Sequence, residues 1–219
     1  MAISGKLKFN RNQVLPMFLS RKKNTDDNSP PSEEEILSQS LNKSLSRVLQ
    51  NPLKQGPVED GTARAEIIHA LGVLETAFFT IDRVKELTLE ACHIALKASS
   101  NDDLGNRALL AERYDEVRQS IDMAIEETEG PAKALLGEEK SDLILALSGR
   151  SNYTIPAVRL DCDKAGLNLT PPITGFSETE EISAILRSLD KALEKIDRAS
   201  HMLMKDAQYL TTKISSLDA

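Results

Sequence analysis

From Ile182 to Leu217 an apolar residue returns every third or fourth position: Ile182, Leu186, Leu189, Leu193, Ile196, Leu203, Ala207, Leu210, Ile214 and Leu217, with Ser200 the one polar member. That alternation is one face of a continuous helix, and Ser177 with Glu180 has the capping-box spacing that sets its start. At 1.5 Å per residue a helix over 177–217 is roughly 60 Å long. A stripe of that length can be buried only by partners of similar length. The chain is therefore expected to build a rod.

The partners lie upstream. Ile67, Leu71, Leu74, Phe78 and Ile81 recur at steps of four and three, and Val84, Leu87, Ala91 and Ile94 continue the stripe. Leu110, Tyr114, Val117, Ile121, Ala124 and Thr128 form a second one. Between them SSNDDLGN supplies side chains that cap helix ends and tolerate tight turns. The spacing predicts an antiparallel helical hairpin over 63–128, with the helix over 177–217 as its third member. The expected fold is mainly α, an elongated antiparallel helical bundle or coiled coil.

The connection between hairpin and last helix reads differently. Gly130-Pro131 breaks the second helix, and Lys133–Gly137 (KALLG) leads into two short apolar stretches, Leu143–Leu147 and Tyr153–Leu160. Ser148–Asn152 holds the Gly and Asn of a hairpin loop, and Pro156 suits an edge strand. A small β-hairpin is expected within 131–170, lying against the rod, and Thr170–Gly175 (TPPITG) is the stiff turn back. Before the rod, residues 1–31 read as a disordered basic tail with Lys6, Lys8, Arg11, Arg21, Lys22 and Lys23. Residues 32–50 read as a short amphipathic helix carrying Ile36, Leu37, Leu41, Leu45 and Val48, and 51–62 as a linker. The rod domain is expected over 63–217.

Composition narrows the function. The 219 residues carry a net charge of -7, and only 4% are aromatic. An acidic chain without a coherent basic face is a poor partner for phosphate backbones, so nucleic acid is not expected. No apolar run approaches the roughly 20 residues that span a bilayer, and residues 1–30 lack a secretory signal pattern. Cys92 and Cys162 have no CxxC or Cys/His spacing and read as packing residues. His69, His93 and His201 have no partner at ligand spacing, and Asp161-Cys162-Asp163 reads as a solvated turn, so no metal is expected. Paired acids in a pocket, a nucleophile with a base and a glycine-rich phosphate loop are all missing at working spacing. Neither an enzyme nor a cofactor is expected.

The order of parts resembles the rod-like inner domain of bacterial flagellin. Flagellins carry an LxxI-x-R-[IV]-[RK]-E-L-[TA] stretch on their first long helix, and Thr80-Ile81-Asp82-Arg83-Val84-Lys85-Glu86-Leu87-Thr88 is similar to it. Ala111–Ile121 (AERYDEVRQSI) approximates the E-x-x-x-x-[LY]-x-E-I-x-R/Q-x-I pattern of the next helix. Gly130–Leu136 (GPAKALL) looks like the FNGxxLL that opens the β-region, with Phe-Asn-Gly lost. Leu189–Ile196 and Lys205–Leu217 resemble two parts of the C-terminal helix pattern, although its Arg-Ala pair and Gly are replaced around Ser200, His201 and Met204. The resemblance covers about residues 65–217. Flagellins continue at both ends into paired terminal helices of the filament core, with an L-S-S-G-x-R-I-N-x-A-x-D-D-A-A-G stretch that has no counterpart here.

The resemblance implies a flagellin-like structural protein of the bacterial flagellum, expected as a minor or accessory subunit that packs through its rod helices. Its localisation would be the flagellum, or secretion by flagellar export. The expected partners are flagellin or other flagellar proteins, self-association, and an export chaperone, without membrane insertion. The alternative is a cytoplasmic flagellin mimic, an adaptor or regulator that binds flagellin, its chaperone or the export machinery. Arg83, Lys85, Glu86, Glu112 and Glu116, charged residues on exposed faces of the hairpin, are the candidate protein-interaction residues. Solvated local i,i+4 pairs are the competing reading for them.

Overall fold

The computed structural model describes residues 58–147 and 151–217. The expected tail over 1–31, the amphipathic helix over 32–50 and residues 51–57 of the linker lie outside the described residues. The elements in order are α1 (Val58–Ser99), α2 (Leu104–Glu126), α3 (Pro131–Leu136), β1 (Leu143–Ala146), β2 (Asn152–Ile155) and α4 (Thr179–Leu217). The chain is mainly helical with one small antiparallel sheet.

α1 is the axis of the molecule. Its 42 residues span about 63 Å, and both α2 and α4 pack along it while those two scarcely meet. Ile67, Leu71, Leu74, Ile81, Val84, Leu87, Ala91 and Ile94 of the expected stripe are buried, and Phe78 is half-buried. A second set, Ala70, Val73, Ala77, Ala95 and Ala98 with Thr88, is buried as well. A helix between two neighbours needs two apolar faces, and alanine serves where a backbone approaches closely. Thr88 is fully buried because its hydroxyl donates to the Val84 carbonyl at 2.7 Å, leaving no polar atom orphaned.

The helix begins at Val58, five residues before the expected start of the rod, so Val58–Thr62 of the expected linker are helical. Gly61 is one of the two glycines that, with two prolines over 51–61, suggested a linker. One glycine in a helix costs about 1 kcal/mol, too little to stop propagation from a packed helix.

The turn forms as its side chains require. Asp103 caps α2 by accepting the Gly105 N–H at 2.8 Å, and Asn101 accepts the Asp103 N–H at 3.0 Å. α2 runs antiparallel to α1. Its buried face is Arg107, Ala111, Tyr114, Val117, Ile121 and Ile125, whereas the expected Leu110 and Ala124 are half-buried at its edge. Lower down, the buried hydroxyls of Thr80 and Thr128 meet at 2.9 Å and fix the register of the two helices.

Gly130, at φ 61° and ψ -148°, turns the chain out of α2 in a conformation open essentially to glycine alone. Pro131 then starts α3, where its missing N–H is harmless. Leu143 pairs with Ile155 and Ala146 with Asn152 in the β-hairpin. The second strand is shorter than the expected Tyr153–Leu160, because Pro156 has no N–H to continue the ladder. The hairpin is tied to both long helices: Glu66 accepts the Ala146 N–H at 2.9 Å, and Tyr153 donates to Asp206 at 2.7 Å while its ring stacks on Tyr209 at 4.5 Å.

From Pro156 to Phe176 the chain returns along the bundle as an irregular strap that buries Leu160, Cys162, Leu167, Leu169 and Phe176. The strap replaces direct packing of α2 on α4. On the α2 side, Asp122 accepts the Cys162 N–H at 2.8 Å, and the Phe176 ring lies 5.6 Å from that of Tyr114. On the α4 side, Lys195 donates to the carbonyls of Ala165 and Gly166 at 3.0 and 2.6 Å.

α4 begins at Thr179, and it is Glu181 that reaches back over the turn. Its carboxylate takes the Thr174 N–H, the Thr174 hydroxyl and the Phe176 N–H at 2.9, 2.5 and 3.0 Å. Ser177 and Glu180 were expected to cap this end. Their spacing is right, but the tight turn at Gly175 and Phe176, both at positive φ, presents its N–H groups to Glu181 instead. The buried face of α4 is also wider than the expected stripe. Ile185, Ala192 and Ala199 are buried, while Leu186, Leu193, Ser200 and Leu217 are half-buried beside them. An apolar arc of this width lets α4 cover α1 and the strap together.

Candidate protein-interaction surface

The five candidate residues divide between two faces. Lys85 is half-buried and bridges to Asp197 of α4 at 2.7 Å, so it joins two helices of the same bundle. Arg83 and Glu86 are exposed on α1 and lie 3.6 Å apart. Glu116 pairs with Arg113 at 3.0 Å, and Arg113 also reaches Glu90 of α1 at 2.9 Å. Glu112 is exposed on α2. Exposed pairs of this kind contribute about 0–1 kcal/mol each, so four of the five candidates are available to a partner at little expense to the fold. Lys85 is the exception.

Arg83 borders an open groove between α1 and α2, about 560 Å³ in volume, lined also by Thr76, Phe79, Ser120, Met123, Glu127 and Glu129. Phe79 is 70% exposed and Met123 is 53% exposed. The expected stripes did not include either residue. The signal that could have found them is their displacement from those stripes: a Phe and a Met on faces otherwise filled by Asp, Arg and Glu.

The Thr80–Thr128 contact sets the heights of these groups. With α1 and α2 antiparallel, Phe79 is level with Glu127–Glu129 across the groove, and Arg83, about 6 Å higher along α1, is level with Met123 and Ala124. The four corners therefore alternate in character. Cation and thioether share the upper row, phenyl ring and carboxylate the lower.

The other polar groups of the rod serve the fold. Asp161 and Asp163 both turn to Arg159, at 2.6 and 2.5 Å, so this turn spends its carboxylates on an internal cation. Cys162 is buried, its thiol donating to the Arg118 carbonyl at 3.3 Å, and burial followed by the nearby Asp122 carboxylate pushes its titration well above an ordinary thiol's. A thiol so held is a poor nucleophile. Cys92 is half-buried and likewise raised, first by burial and then by Asp190. His69, His93 and His201 are exposed on separate turns. Among the described residues no group of three or more His, Cys, Asp or Glu is placed to hold a metal ion, and no helix is long and apolar enough to cross a membrane.

No protein-family model matches the chain, and no curated protein matches it in sequence.

Proposed function

We propose that the chain is a flagellin-like structural protein of the bacterial flagellum, an accessory subunit that packs against its neighbours through the rod helices. The observation that carries the reading is the meeting of the stretches that resemble flagellin. Thr80–Thr88 of α1, Ala111–Ile121 of α2 and Leu189–Ile196 of α4 are far apart in sequence and lie beside one another around the middle of the bundle. Arg113 to Glu90, two residues past the first stretch, and Lys85 to Asp197, one residue past the third, mark the contact. Their apolar members face inward, and Arg83, Glu86, Glu112 and Glu116 face outward. A rod with a sealed core and a charged exterior is suited to side-by-side packing, and the groove that Arg83 borders between α1 and α2 is too open to sequester a substrate.

The test is location. A tagged copy is traced by immunoblot in sheared, purified filaments beside the cell lysate, and the proposal expects it in the filament fraction. Recovery from the lysate alone overturns it and favours a cytoplasmic adaptor, which a pull-down for flagellin, its chaperone or an export component would then identify.

A further inference from the structure

We propose that the groove between α1 and α2 is a self-association surface, and that its occupant is the same groove on a second copy of the chain. The inference rests on the arrangement of four exposed side chains. Phe79 and Met123 stand at opposite corners of the patch, and Arg83 and Glu127 at the other two. A two-fold axis lying in the plane of the patch, along the Phe79–Met123 diagonal, exchanges the remaining corners. It sets each Arg83 against the partner copy's Glu127, and brings Phe79 onto Phe79 and Met123 onto Met123. One patch thus supplies both halves of its own complement, as a two-fold contact requires.

The local charges favour this occupant over a purely apolar or purely acidic one. Glu127 makes no ion pair among the described residues, and Arg83 has only the long 3.6 Å contact with the exposed Glu86. Both ends of the intermolecular pair are therefore free to form it. The apolar diagonal would be shielded from water in the same step, with Glu129 and Thr76 at the rim. Because the axis is diagonal, the two rods cross at a steep angle and meet over a short length. With contact confined to this short length, the buried area is expected to fall below the roughly 1,200 Å² of a stable interface, and the dimer to be weak and concentration-dependent.

The proposal does not depend on the flagellar reading, since its test uses the purified full chain alone. Sedimentation velocity from micromolar to millimolar concentration is expected to show a monomer giving way to a dimer. Arg83→Glu and Glu127→Arg should each weaken association at least tenfold, and the double exchange should restore it, while circular dichroism confirms an unchanged helix content in all three. A chain monomeric throughout the range overturns the proposal, as does a dimer indifferent to the charge exchanges. Failure of the double exchange to restore what each single exchange lost also overturns it. A filament location obtained separately would stand or fall without reference to any of these results.

Discussion

At the scale of single residues, the turn before α4 shows how one carboxylate organises a buried ring. Phe176 is fully buried at φ 62°, a backbone conformation that costs a bulky residue of order 1–3 kcal/mol, and Glu181 holds it there by accepting its N–H. Burial alone would raise the Glu181 carboxyl. The Thr174 hydroxyl and the N–H groups of Thr174 and Phe176 outweigh that and leave it below an ordinary glutamate. The sign follows: a depressed folded value contributes stability in full above the unfolded value of about 4.3, and loses it as pH falls through the folded value. Glu181→Gln should therefore lower the melting temperature at neutral pH and lessen the loss of stability on acidification, measured by thermal denaturation across pH 2–7. Phe176→Ala should cost about 3–5 kcal/mol in denaturant unfolding. The sequence placed a turn at Thr170–Gly175 but could not single out Glu181, because Glu180 fitted the local capping pattern and the real acceptor is set by the turn's three-dimensional shape.

At the scale of elements, the helices were legible because their apolar periods are long, and the strap was not because it has no period. Leu160, Cys162, Leu167 and Leu169 follow neither helix nor strand spacing, yet they fill the corner between α2 and α4. The same blindness hid the second face of α1, whose alanines carry little hydrophobic signal individually. The strap is pinned on its α4 side by Lys195, whose titration is lowered by burial in spite of the nearby Asp161. Lys195→Met keeps the aliphatic stem and removes the donor to Ala165 and Gly166. Opening of the strap should then speed the reaction of Cys162 with a thiol reagent several-fold, while the helical circular dichroism is preserved; Cys92→Ser in the same background assigns the signal. Gly130→Ala should destabilise by about 1–3 kcal/mol in denaturant unfolding, since its backbone angles are strained for any residue with a Cβ. The groove residues Phe79, Met123 and Glu127 belong with the strap as features that periodicity does not weigh, because a pattern search rewards what is buried.

For the whole molecule, α1 is the element on which every other one depends. It packs against α2, α3, β1 and α4, so its loss removes a wall from each of the other contacts. Hydrogen exchange should be slowest in the middle of α1, around Leu74–Val84, and the β-hairpin should exchange before it. Leu74→Ala should cost about 2–5 kcal/mol, and the unfolding transition should stay single. The mainly helical rod was readable from the sequence because three long stripes have to cover one another. The hairpin over 67–128 could be read as the stretch the chain is organised around, but that α1 alone would be its axis could not, since its second, alanine-rich face gives little hydrophobic signal. The antiparallel pairing of α1 with α4 also has a mechanical meaning. Val58 and Leu217 leave the bundle at the same pole, so a load drawn through both would peel α4 from α1 one helical turn at a time. A pull applied between opposite poles would strain the whole seam at once. The rod should yield readily to tension at its open end and resist it along its length.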